Sequence, residues 1–123
     1  MIDRQKLGRN GEDAAAAYLR ERGWRILERN FRYGKAGEID IIARDGEWTV
    51  FVEVKSRRSL ACGAPEYAVT PSKQRQLMRL ARGYMYLHGA GELLCRFDVI
   101  TVEYRTGGDH SIHHYENAFT AMS

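Results

Sequence analysis

Glu38, Asp40, Glu53 and Lys55 lie in two strand-like stretches on either side of Asp45-Gly46. Carboxylates with a lysine beside them can hold a hard divalent cation and stabilise charge on a phosphoryl group. β-Branched and aromatic residues flanking an Asp-Gly pair predict a hairpin. A two-residue loop at Asp45-Gly46 sets Arg44 against Glu47, Asp40 against Phe51 and Glu38 against Glu53. Facing residues share a side of the sheet, as do alternate residues of one strand, so Glu38, Asp40, Phe51, Glu53 and Lys55 project together. Asp40 and Glu53 become diagonal neighbours with Cα atoms roughly 7–8 Å apart. They can then converge on a cation such as magnesium, whose oxygen ligands lie at about 2.0–2.1 Å. The other side, with Ile39, Ile41, Ala43, Val50, Val52 and Val54, is apolar, and a one-residue slip would bury the carboxylates. The plain alternative is a solvated face with a cross-strand ion pair. Phe51 and Ile42 on the charged side point instead to a partly covered face.

The elements that must position this hairpin are legible from periodicity. Asp3 to about Arg22 predicts a helix whose inward stripe is Leu7, Gly11, Ala14, Ala15, Tyr18 and Leu19. Glu12 falls on or near that stripe, as a satisfied edge residue or as a further ligand facing the sheet. Trp24 to Phe31 reads as a strand and Tyr33–Gly37 as a turn. Ser56–Pro65 reads as a polar loop, long enough to be functional. Thr70-Pro71 predicts a helix start, with Leu77, Leu80, Ala81, Tyr84 and Met85 inward and Arg75, Arg79 and Arg82 largely on another face, closing at His88-Gly89. Strands follow over Leu94–Tyr104 and about Ser111–Ala118. The order α-β-β-β-α-β-β predicts one α/β domain over residues 1–123, a mixed sheet flanked by helices.

With 123 residues, 44% hydrophobic and 28% charged, the chain has the composition of a globular domain rather than a disordered or fibrous one. No apolar run approaches the roughly 20 residues that span a bilayer, and the N-terminal residues lack a signal-peptide core, so a cytoplasmic protein without membrane contact is expected. Cys62 and Cys95 lack the paired spacing of a zinc site and read as buried or incidental thiols. His110, His113 and His114 read as a surface turn and edge strand. Tyr18, Tyr84 and Tyr86 occupy helical positions where core packing is expected. Phe31, Tyr33, Arg29, Arg32 and Lys35 form a candidate stacking and phosphate-contacting edge. Between residues 55 and 82 stand Lys55, Arg57, Arg58, Lys73, Arg75, Arg79 and Arg82 against Glu66 alone, whereas the stretch after it is acidic. That asymmetry points to a polyanionic partner, with a charged helix face as the simpler account of part of it.

Gly37-Glu38-Ile39-Asp40 followed by Phe51-Val52-Glu53-Val54-Lys55 resembles the catalytic core of the restriction-endonuclease-like PD-(D/E)XK superfamily. It resembles more closely the YraN family of bacterial endonuclease-like proteins and, beyond it, archaeal Holliday-junction resolvases. Gly8-Arg9-x-Gly11-Glu12, Val52-Glu53-Val54-Lys55-x-Arg57, Ala68-Val69-Thr70-Pro71-x-Lys73, Arg96-Phe97-Asp98-Val99 and Glu116-Asn117-Ala118-Phe119 carry the likeness through most of the chain. Ile39 stands where the superfamily motif has proline. The resemblance implies a restriction-endonuclease-like three-layer fold and a magnesium- or manganese-dependent phosphodiesterase acting on DNA rather than RNA, with branched or junction DNA as a candidate substrate. In that picture Asp40, Glu53 and the Val54 carbonyl bind the metal, and Glu12 adds a ligand directly or through water. Lys55 orients the attacking water, while Glu38 and Lys73 stand behind them. Arg57, Arg58, Lys73, Arg75, Arg79, Arg32 and Lys35 are the candidate nucleic-acid contacts. By analogy with resolvases a homodimer is expected. The alternative, from another functional class, is a nucleic-acid-binding or interaction module that keeps the nuclease fold without turnover.

Overall fold

The run Val50-Phe51-Val52, with no polar atoms outside its backbone, requires cover on both faces, and a helix lies on each. The computed structural model describes residues 4–58, 69–89 and 94–119, with side chains of the first helix from Asn10 onward. Its elements are α1 (Arg4–Glu21), β1 (Arg25–Arg32), β2 (Glu38–Asp45), β3 (Trp48–Arg58), α2 (Pro71–Leu87), β4 (Leu94–Tyr104) and β5 (His110–Phe119). The sheet runs β1-β2-β3-β4-β5, with β3 and β4 parallel and the other neighbours antiparallel. A parallel pair cannot be joined by a tight turn, and α2 is the element between these two. Thr70 caps α2 by accepting the Lys73 amide at 3.2 Å, and Pro71 takes the first helical position.

Each helix closes one layer of core. Ala15, Ala16 and Leu19 of α1 pack with Trp24, Ile41, Ala43, Val50, Val52, Ile100 and Val102. Leu77, Leu80, Ala81 and Tyr84 of α2 pack with Phe31, Ile39, Ile42, Phe51 and Phe97. This three-layer α/β arrangement around a mixed five-stranded sheet is the architecture expected from the sequence. Of the expected Ser56–Pro65 loop, Ser56, Arg57 and Arg58 instead continue β3, paired with Val102, Glu103 and Tyr104 of β4, and the rest lies outside the described residues, as does Cys62.

The hairpin differs from expectation in its turn. Asp45 faces Trp48, Ala43 faces Val50 and Ile41 faces Val52, so the loop is Gly46-Glu47 rather than Asp45-Gly46. Gly46, at φ 59°, takes the left-handed conformation that such a loop demands at its first position. The register is displaced by two residues from the expected one, and a two-residue shift leaves every side chain on its own face. Face assignment therefore survives from Ile41 to Asp45 while the partners change. Asp40 is brought level with Glu53 rather than with Phe51, and Glu38 no longer faces Glu53.

The alternation itself breaks near Asp40. Arg29 reaches α1 whereas Phe31 packs under α2, and their ladder partners Ile41 and Ile39 divide in the same way. Between them Asn30 has φ 54°. A left-handed residue inside a strand is a local twist, and it turns the chain over at this point. Ile39 consequently belongs to the α2 layer, not to the layer of Ile41 and Ala43.

Phe51 is buried at the centre of the α2 layer, with its ring 5.9 Å from Tyr84 and 5.5 Å from Phe97. Phe51→Ala is expected to lower the free energy of unfolding by about 3–5 kcal/mol, read from urea denaturation. A loss under about 1 kcal/mol would mean that α2 is not seated on this ring.

Candidate functional site

The β2–β3 ladder ends at Ile41 and Val52. Two residues further on, the Val54 amide donates to Asp40 Oδ2 at 2.7 Å, so a side chain of β2 takes over where its ladder with β3 stops. Asp40 is partly buried and shares its surroundings with Glu53 of β3 and Glu12 of α1. Burial pushes its carboxyl up, the Val54 N–H pulls it down, and the charges of Glu53 and Glu12 push it up again, to about 7 from an ordinary 3.8. Glu53 is buried, and its Oε2 accepts no hydrogen bond among the described residues. Lys73 Nζ stands 3.4 Å from that oxygen and supplies charge without a hydrogen bond of good geometry. Asp40 is thus coupled electrostatically to a carboxylate on each of two other elements, and among the described residues Glu53 Oε2 lacks a donor.

Glu12 is held from β1. Arg29 Nη2 lies 3.5 Å from its Oε1, and the Asn30 amide, turned nitrogen-first, donates to Oε1 at 3.0 Å and Oε2 at 3.3 Å. Burial nevertheless outweighs Arg29, and with Glu38 nearby the Glu12 carboxyl lies above its ordinary value. Glu38 itself pairs with Arg32 at 3.1 Å across the β1–β2 ladder. Lys55 is exposed, two residues beyond Glu53 on the same face of β3. Asn30 is the member of this site that sequence reasoning missed, and Arg29, expected at the phosphate-contacting edge, is instead turned toward Glu12. An asparagine between charged and aromatic residues in a strand was the available signal, because Asn tolerates the left-handed region.

The basic residues divide into two groups. Arg57 donates to Glu103 Oε2 at 3.0 Å and 3.3 Å, Arg29 pairs with Asp13 at 2.8 Å, and Arg32 is paired as above. Phe31 is buried and Arg29 and Arg32 are paired, which leaves Tyr33 and Lys35, both exposed, of the expected edge of Phe31, Tyr33, Arg29, Arg32 and Lys35. Arg75, Arg79 and Arg82 line an open groove of about 610 Å³ along the outer face of α2 with Pro71, Gln74 and Met78. Arg58 is exposed at the end of β3.

A second polar cluster was not anticipated. Asp98, His114 and Glu116 present ligand atoms within 4.8 Å of one another, the arrangement of a small metal site. His114 is therefore a buried partner of the core rather than a surface histidine. Asp98 accepts from Arg96 Nε at 2.9 Å, Arg96 Nη2 at 3.1 Å, His114 Nε2 at 2.8 Å and the Asn117 amide at 3.0 Å. His114 Nδ1 meets the Tyr18 hydroxyl at 3.0 Å and Arg22 at 3.1 Å, and Glu116 pairs with Arg22 at 3.3 Å. Burial pushes the Asp98 carboxyl up, but the bonds from His114, Arg96 and Asn117 outweigh it and hold the group below its ordinary value. Two guanidiniums already occupy the space a cation would take, which makes this a structural clasp between β4, β5 and α1. Cys95, half-buried, donates its thiol to Met85 Sδ at 3.2 Å. No described helix is long and apolar enough to cross a membrane.

The profile described as "Uncharacterised protein family UPF0102" matches residues 11–102. The chain is similar to a UPF0102 protein of Geobacter sulfurreducens, 48% identical over 113 residues, covering 92% of this chain and 88% of that one. It is similar also to UPF0102 proteins of Pelobacter propionicus, 48% identical with 95% and 84% covered, and of Rhodococcus jostii, 46% identical with 92% and 95% covered. Among solved structures, Pyrococcus furiosus SfsA in complex with Ca2+ aligns with a TM-score of 0.43 and 19% identity. That alignment covers 94% of this chain and 64% of the other, a likeness too remote to argue from.

The two clusters should respond oppositely to pH and mutation. Asp40 binds its proton more tightly folded than unfolded, so its stabilising contribution is complete below about pH 4 and is lost as pH rises through about 7. In chelated buffer the melting temperature is expected to fall between about pH 5 and pH 8, and Asp40→Asn should flatten that fall. An unchanged profile in the variant would show that Asp40 does not titrate in this window. Asp98→Ala, which strands Arg96 and His114, should cost about 3–5 kcal/mol in urea denaturation with or without chelator. A chelator-dependent cost would restore a metal to that cluster.

Proposed function

Because the chain belongs to the YraN family, UPF0102, we propose that it is a divalent-metal-dependent endonuclease hydrolysing phosphodiester bonds in DNA, with branched or junction DNA as its substrate. The observation that supports this reading is the electrostatic coupling of Asp40 to Glu53 and Glu12 beside a buried Glu53 oxygen that accepts no hydrogen bond among the described residues. The donor set suits magnesium or manganese, held by Asp40, Glu53 and the Val54 carbonyl with Glu12 directly or through water. When bound, the cation supplies Lewis-acid polarisation of a phosphoryl oxygen and a more acidic water.

The remaining work falls to the chain's own residues. Lys55 orients the attacking water and stabilises charge on the phosphate from the face it shares with Glu53. Lys73 neutralises part of the carboxylate charge and stands at the N-terminal end of α2. The Val54 amide fixes the direction of Asp40, and Arg29 with Asn30 fixes Glu12. Arg58, Arg75 and Arg79 hold the DNA backbone, and a homodimer would match the paired strands of a junction. The exposed arginines of α2 favour a second reading, a nucleic-acid-binding module without turnover, because they can hold phosphates in the absence of metal.

With magnesium or manganese, the purified protein is expected to cleave a panel of linear, flapped and four-way DNA. Asp40→Asn and Lys55→Ala should each reduce the rate by about 100-fold or more. Cleavage that persists in both variants would remove the enzyme reading. Salt-sensitive DNA binding that survives chelation, with no cleavage of any substrate, would establish the second. Millimolar magnesium should also raise the melting temperature of the wild type more than that of Glu53→Ala, with Glu12→Ala between them.

A further inference from the structure

Tyr86 is expected at a core position by its place in a helix, yet it is 78% exposed. It stands one turn beyond Gly83, a buried residue inside α2 where glycine is unfavourable for the helix. A Cβ at Gly83 would overlap three atoms of the Tyr33 ring, so this glycine admits the ring against the helix backbone. Tyr33 and Tyr86 line a groove of about 570 Å³ with Lys35, Arg79 and Arg82, and among the described residues no acidic side chain lines it. Among the described residues these three cations enter no ion pair, whereas Arg29, Arg32 and Arg57 are each neutralised by a carboxylate. Ring faces and unpaired cations occur together in this groove.

We infer that the groove binds an unpaired nucleic-acid strand, its bases stacking on Tyr33 and Tyr86 and its phosphates meeting Lys35, Arg79 and Arg82. A base offers its π-face only when it is unstacked from its neighbours, so a duplex interior cannot use such rings. The inference rests on the nuclease reading for its consequence at the carboxylate site. Lys73 and Gly83 are ten residues apart on one straight helix, about 15 Å. That separation corresponds to a few nucleotides of strand between the groove and a phosphate at Glu53 and Lys73. The substrate then carries a single-stranded segment a few nucleotides from the bond that is cut, as a flap or an opened branch does.

The test is equilibrium binding of single-stranded DNA carrying one 2-aminopurine, against duplex of equal length, in chelated buffer. Wild type is expected to bind the single strand more tightly than the duplex and to quench the probe. Tyr86→Ala should weaken single-strand binding about tenfold and abolish the quench while duplex binding stays nearly constant. Tyr86→Trp should retain both, and Gly83→Ala, by unseating the Tyr33 ring, should lose part of the quench. Asp40→Asn should bind like the wild type, which separates the groove from the carboxylates. A variant lacking Tyr86 that binds and quenches normally, or that loses duplex and single strand equally, overturns the inference. Loss of a dimer in Tyr86→Ala with unchanged single-strand affinity also overturns it and assigns the ring to a second copy of the chain. Normal stacking in a protein that cleaves no DNA would remove the nuclease reading alone, whereas cleavage of flapped DNA unaffected by Tyr86→Ala would remove the groove alone.

Discussion

The amide of Val54 lies beyond the last paired residues of β2 and β3, and a buried N–H must find an acceptor. Asp40 Oδ2 provides it at 2.7 Å, and much of the candidate site depends on this substitution of a side chain for a strand. It draws a carboxylate into the sheet, level with Glu53 and beneath the helix that carries Glu12. The electrostatic cost is visible in the Asp40 carboxyl, pushed to about 7 by burial and by two like charges despite the favourable Val54 bond. A fold selected for stability alone would place a neutral acceptor there. The retained charge is intelligible if something positive completes the site.

The comparison with Asp98 sharpens this point, since the two aspartates sit in neighbouring parts of one sheet and differ in what surrounds them. Asp98 is wholly enclosed, yet it accepts four hydrogen bonds and faces a guanidinium, so its carboxyl is held below the ordinary range. Asp40 accepts one backbone bond and faces carboxylates. Geometry alone would nominate the Asp98 cluster for a metal, because its ligand atoms converge within 4.8 Å. Satisfaction of the lone pairs reverses that ranking. A cation would add most where the oxygens lack donors, and among the described residues the buried carboxylate oxygen without one belongs to Glu53.

α2 serves three purposes along its length. Its inner face closes the Phe51 layer, its first turn brings Lys73 to Glu53, and its outer face carries Arg75, Arg79 and Arg82. Because one rigid helix spans these positions, a ligand lying along it has a fixed distance from the carboxylates. The pairing of Arg29, Arg32 and Arg57 with local acids has the opposite effect, removing them from competition for a polyanion.

Much of this was determined by sequence alone. The α-β-β-β-α-β-β order, the apolar stripes of both helices, the Thr70-Pro71 start and the shared face of Phe51, Glu53 and Lys55 along β3 follow from periods of 3.6 and 2, which are local properties of the chain. Other features could only be decided in three dimensions. The hairpin closes on Gly46-Glu47 because the turn competes with the packing of both faces, and parity cannot distinguish registers two residues apart. Asn30 turns β1 over, a conformation that Asn permits but does not dictate. Tyr86 is exposed and Phe31 buried because their neighbours come from distant segments. Asp98 and His114 are sixteen residues apart and meet only when β5 pairs with β4. Residue types specify which groups can bond or carry charge, whereas their partners, and hence their pKa values and roles, are set by tertiary contacts that no local pattern encodes.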